Sequence, residues 1–226
     1  MYDTALVKGV VRVSLAAFVL SVATGAASAA IFSFDQDPFL GTGIDPDDGV
    51  RQISTGSAGF GARLVVAEFD FANDQFQFSI PAFGLERGLV FQGAPVGDLV
   101  PSGPGKPNVV VLQTTDDDAD PATAFGAGNA ASLIAGALDD PENGFFIYHN
   151  SGLMLNRLVY STDLSDPTAD LAILAAIASP TGQAAIDQLP EFTSENFAFV
   201  PLPAATPLLA ASLGLLAAFG WRSRRS

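Results

Sequence analysis

Gly144-Phe145-Phe146-Ile147-Tyr148-His149-Asn150-Ser151-Gly152-Leu153-Met154-Leu155-Asn156-Arg157-Leu158-Val159-Tyr160 sets two apolar runs on either side of a polar, glycine-containing turn. Residues 145–148 and 153–160 read as two strands joined around Asn150-Ser151-Gly152, a hairpin. Upstream, Val109 to Leu112 is a continuous apolar run, as in a strand buried on both faces. Between them, residues 124–138 have the composition of a small-residue helix, weakened by Gly126, Gly128 and Gly136. Downstream, Asp166-Pro167 offers an N-cap followed by proline at the first helical position, which predicts a helix over 167–178. Ser179-Pro180 ends it and opens a shorter helix through Leu189. Toward the amino terminus, Phe69-Asp70-Phe71 and Phe76-Gln77-Phe78 alternate at period two around Ala72-Asn73-Asp74, predicting a hairpin over 64–80. Phe32-Ser33-Phe34 repeats the alternation, and Pro101-Ser102-Gly103-Pro104-Gly105 reads as a surface loop. The expected fold is one α+β domain, mainly antiparallel β with late helices.

Charge and hydropathy pull in opposite directions. The 226 residues include 24 acidic and 10 basic side chains, for a formal charge of −14, yet 49% are hydrophobic and the mean hydropathy is positive, +0.35. The apolar content must therefore be concentrated. A strongly negative field argues against nucleic acid as a partner. With no cysteine, disulfides, thiolate metal sites and cysteine nucleophiles are excluded.

The apolar excess collects at the two ends. Lys8 and Arg12 precede an apolar run over 13–23, and Ala27-Ser28-Ala29 supplies the small residues that signal peptidase accommodates. Residues 1–30 thus read as a secretory signal peptide, cleaved after Ala29 or Ala30. At the other end, Val200-Pro201-Leu202-Pro203-Ala204 breaks regular structure, because alternating prolines remove amide donors. An apolar run over 205–221 follows, just long enough for a transmembrane helix, and Arg222, Arg224 and Arg225 would hold its end in the cytoplasm.

Proline motif, apolar helix and arginine cluster together resemble the PEP-CTERM sorting signals of Gram-negative bacteria, in the VPLPA variant, with Leu202 where the commoner form has glutamate. The resemblance covers residues 200–226. It implies a precursor held in the inner membrane with its domain in the periplasm, processing near the proline motif by an exosortase, and a mature protein at the cell surface or in the extracellular matrix. Gly144-Phe145-Phe146-Ile147-Tyr148, Asn150-Ser151-Gly152 and Leu155-Asn156-Arg157-Leu158-Val159-Tyr160-Ser161, running into Asp166-Pro167-Thr168-Ala169-Asp170, are similar to stretches of exported, sorting-tailed proteins of uncharacterised function. That second resemblance brings no reaction or ligand.

Residues 31–199 form the expected exported domain. Its five basic residues, Arg51, Arg63, Arg87, Lys106 and Arg157, face 23 acidic ones, a formal charge of −18. Such a surface attracts cations and resists self-association. With 16 of the 18 phenylalanines inside it, the domain has the material for a core.

Asp116, Asp118 and Asp120 fall on alternate positions just after a predicted strand, and carboxylates at positions one, three and five of a loop fold around calcium. The match to an EF-hand stops there: Pro121 stands in place of the turn glycine and Ala127 in place of the bidentate glutamate. Further ligands would have to come from elsewhere, for instance Asp45, Asp47 and Asp48. The competing reading is a solvated acidic loop. Gly126-Ala127-Gly128-Asn129-Ala130-Ala131 fits a relaxed dinucleotide pattern, but an acidic run intervenes between the preceding strand and the glycines. His149, the sole histidine, has no nucleophile elbow to serve and reads as exposed or structurally bonded. The function expected is a non-enzymatic surface or matrix protein, associated with extracellular polysaccharide or neighbouring proteins. The alternative is a secreted hydrolase using a carboxylate pair on polysaccharide.

Overall fold

A computed structural model describes residues 28–44, 48–120 and 122–200. Its centre is the four-residue run Val109–Leu112 (β6), every residue of it inaccessible to solvent. Alternation sends Val109 and Val111 to one face and Val110 and Leu112 to the other, and each face finds its own core.

Around β6 runs a large sheet. Phe91–Ala94 (β5) and Gly144–Asn150 (β7) pair with it in parallel; Leu155–Ser161 (β8) returns antiparallel to β7, and Leu171–Ile177 (β9) antiparallel to β8. Beyond β9 the edge is shared. Ile53–Ser54 (β2) pairs with the start of β9 and Leu64–Val66 (β3) with its end, both parallel. Between them the chain leaves the sheet and returns, with the Gly56 amide donating to the Gly61 carbonyl. A side chain at Gly56 would sit on the Ala62 carbonyl, so this excursion needs glycine. Leu174 of β9 is skipped in the pairing between Leu158–Ala175 and Val159–Ile173, a bulge that puts Leu174 and Ala175 in the same core.

The second sheet is small and entirely parallel: Ile31–Phe34 (β1) and Phe197–Val200 (β10) flank Gln75–Ser79 (β4). It lies against one face of the large sheet through phenylalanines. Phe78 stacks on Phe145 with ring centroids 3.7 Å apart, and Phe69 on Phe76 at 4.8 Å. The opposite face is covered by Ala127–Ala135 (α1), which buries Ala127, Ala130, Ala131 and Ile134 against β6, β7 and β8. A short helix, Gln183–Asp187 (α2), sits beside β8, where Asn156 donates to the Ala185 carbonyl. No helix among the described residues is long and apolar enough to cross a membrane; the predicted transmembrane run over 205–221 and residues 1–27 of the signal peptide lie outside them.

The β7–β8 hairpin, the doubly buried β6, α1 and a short helix after Pro180 match expectation. Three readings are corrected. The domain is mainly β with two short helices, but its sheets are not mainly antiparallel: among the described residues six strand pairings are parallel and two antiparallel. The helix expected over 167–178 is strand β9; its seven residues are all buried, between β8 on one side, β2 and β3 on the other, and two cores above and below. An apolar run of that length suits a doubly covered strand, and burial overrides alanine's helix propensity. The hairpin expected over 64–80 does not form, because β3 joins the large sheet and β4 the small one. Phe69-Asp70-Phe71 is the crossing between sheets. There the Asp70 carbonyl accepts from the amides of Asn73 and Asp74, and its carboxylate accepts from Ala72 and Asn73.

Candidate functional site

The loop from β6 to α1 carries the aspartates that the sequence singles out. Carboxylate oxygens of Asp116, Asp117 and Asp118 lie within 4.8 Å of one another, a group compact enough to share an ion, and Asp120 stands outside it. Each of these aspartates also has a local partner. Asp116 accepts the Asp118 amide (3.2 Å), Asp118 the Asp120 amide (2.8 Å) and the Thr123 hydroxyl (2.9 Å), and Asp120 the Ala122 amide (2.9 Å). Asp117 accepts from the Asn129 side chain at 2.7 Å, tying the loop to the first turn of α1. The Asp120 amide, followed by the Thr123 hydroxyl, holds the Asp118 carboxyl below its ordinary pKa. Of the outlying ligands considered, Asp45 and Asp47 lie outside the described residues, and Asp48 accepts from Val50 and Gln52.

The glycines at the start of α1 are accounted for locally. Asn129 accepts from the Gly126 amide at 3.2 Å, and Arg51 donates to the Gly128 carbonyl at 2.6 Å. With Asp117 held at the first turn, this helix end has no room for a pyrophosphate's charge.

His149 is buried in the β7–β8 hairpin. Its Nδ1 lies 3.2 Å from the Asn156 side-chain oxygen, and Ser151 is occupied elsewhere, accepting the Phe125 amide. Burial lowers the imidazole pKa more than the Asn156 contact raises it. This is a structural, neutral histidine.

A cleft of about 810 Å³ opens where β7 begins and β8 ends, and the sequence does not announce it. Glu142 forms ion pairs there with Arg87 and with Lys106 (3.3 Å). Arg87 donates to the Lys106 carbonyl (2.5 Å), and Lys106 to the Asp140 carbonyl (2.6 Å). Desolvation pushes the Glu142 carboxyl upward, but the two cations outweigh it and leave the pKa below the ordinary value. No local motif joins positions 87, 106 and 142, so only the fold brings them together.

The other three cations of the domain are also internal ties. Arg51 reaches the carbonyls of Gly128 and Ala169, Arg63 that of Pro38, and Arg157 that of Phe60. All five positive side chains are thereby engaged in holding distant segments together, and the acidic side chains dominate what faces solvent. Comparison of the chain with protein-family models, with curated proteins and with solved structures gives no match.

Proposed function

We propose that this chain is the precursor of an exported, non-enzymatic surface or matrix protein of a Gram-negative bacterium. Residues 1–30 direct export, 31–199 form the acidic working domain, and the VPLPA-type tail over 200–226 anchors the precursor in the inner membrane until an exosortase processes it. The observation that carries this reading is the coincidence of two kinds of boundary. Among the described residues the first strand begins at Ile31, immediately after Ala29 and Ala30, and the last ends at Val200, the first residue of the Val200-Pro201-Leu202-Pro203-Ala204 motif. Among the described residues every strand lies between Ile31 and Val200, so the sheets share only Val200 with the tail, as its first residue.

The domain's work is the display of negative charge, with calcium as its natural counter-ion and matrix polysaccharide as a partner reached through it. The Asp116–Asp118 group is where an ion would bind most closely. The hydrolase alternative draws no support from Glu142 in the cleft at the start of β7, since a general acid needs a raised pKa and Glu142 is held as a carboxylate by two cations. Replacing Pro201 and Pro203 with alanine in a host that contains an exosortase tests the sorting role. The variant should stay in the inner membrane at uncut mass; release indistinguishable from the wild type would refute it. Calcium at about ten times a millimolar Kd should stabilise the domain by about 1.4 kcal/mol. An unchanged melting temperature at those concentrations would remove calcium from the account.

A further inference from the structure

The amide of Ala30 donates to Oδ1 of Asp74 at 2.7 Å, and the Ala30 carbonyl accepts the Gln75 amide at 2.9 Å. Asp74 is buried, with its second carboxylate oxygen accepting the Asp70 amide at 3.0 Å. Around Ala30 the structure forms a cleft lined by Glu68, Asp70, Asp74 and Glu191, with no basic side chain in its wall. Both oxygens of the Asp74 carboxylate accept a backbone amide, but no cation stands in the acidic cleft beside it.

We propose that signal peptidase cuts between Ala29 and Ala30, and that the new α-ammonium of Ala30 forms an ion pair with Asp74 that locks the start of β1 onto β4. In the cut, the Ala29–Ala30 amide bond breaks. Water gives its hydroxyl to the Ala29 carbonyl carbon and a proton to the Ala30 nitrogen. The resulting carboxylic acid releases the proton that completes the ammonium. The inference rests on the export reading and selects between its two cleavage positions. A cut after Ala30 would discard the acceptor of the Gln75 amide and the donor to Asp74, whereas a cut after Ala29 keeps both and adds a charge where the cleft lacks one. Ser28 and Ala29, on the discarded side, are exposed.

Chemistry makes the test unusually clean. Lys8 leaves with the leader, so the processed chain has two amines, Lys106 and the α-amine. The full precursor is produced in a Gram-negative host, and the intact mass and amino-terminal peptide fix the cut. Trace labelling with acetic anhydride across pH, read by peptide mass, then gives the pKa of the α-amine in the native chain and in urea. The expected result is a chain starting at Ala30 whose amine titrates about one unit above the ordinary 7.7–8.0 when native, so labelling at pH 7.5 is about sevenfold slower than in urea. Asp74→Asn should bring the native value back to the urea value. A chain starting at Ile31 overturns this proposal and leaves export standing; an uncut leader overturns export itself. A start at Ala30 with equal native and urea pKa overturns the ion pair, whether or not the Asp74→Asn variant folds.

Discussion

Two groups of acids in this domain are used in opposite ways. Glu142, behind β7, joins Arg87 and Lys106 across separations of 55 and 36 positions and is largely shielded from water. The Asp116–Asp118 group, between β6 and α1, is turned to solvent and held by amides and hydroxyls of its own loop and the helix beside it. Both environments keep a carboxyl ionised, the first with scarce cations and the second with hydrogen-bond donors alone. With five cations for 23 acids, the fold ties each cation to a distant segment of the chain and leaves most acids to face the medium. The formal charge of −18 over residues 31–199 is thus carried mainly at the surface, where such a field attracts cations.

Removing Glu142 should break this contrast most severely. Glu142→Ala strands Lys106 in a buried position, and should cost about 2–3 kcal/mol, short of the fully buried range because the Arg87 side chain is 31% exposed. In thermal unfolding that is a drop of about 6–10 °C; a change within 1 °C would mean that the ion pairs contribute nothing. Acid should reproduce part of the loss. The folded pKa of Glu142 is depressed, so its contribution is present above the unfolded value of about 4.3 and disappears as pH falls through the folded one. His149 acts at higher pH: its folded pKa is also depressed, so stability begins to fall below about 6.5, where the unfolded chain takes up a proton that the buried imidazole resists. Denaturant melts from pH 8 to 3 should show both declines, the acidic one reduced in Glu142→Ala, where Asp118 still contributes; a flat profile from 7 to 5 would contradict the buried, neutral histidine.

The exposed group should behave in reverse. Asp118→Asn should leave the calcium-free melting temperature almost unchanged, yet erase the stabilisation that calcium confers. An equal calcium response in the variant would place the ion elsewhere. Smallest of all, Ala119 holds a left-handed backbone (φ +59°) in this loop, and Ala119→Gly should gain about 0.5 kcal/mol by relieving it. A loss there would mean that alanine restrains the unfolded loop more than it strains the folded one.

Legibility in the sequence followed locality. The β7–β8 hairpin, β6 and α1 could be read because period, length and turn residues lie within one window. β9 could not: Leu171-Ala172-Ile173-Leu174-Ala175-Ala176-Ile177 has alanines that favour a helix, and only its position between β8 and the shared edge makes it a strand. Parallel pairing was hidden for a related reason, since β1 and β10 meet β4 from opposite ends of the chain without any turn that marks the partnership. Of the acids, the Asp116–Asp120 run is visible as a run, whereas Glu142 and Asp74 are single carboxylates among many until the fold supplies their partners.

Release of a secreted domain from between two removable addresses can be read in the intact mass of the surface-associated protein from a host with signal peptidase and exosortase. One species should be found, beginning at Ala30 and ending at or near the Val200–Ala204 motif. Recovery of the chain with both ends intact, or its retention in the cytoplasm, would contradict it.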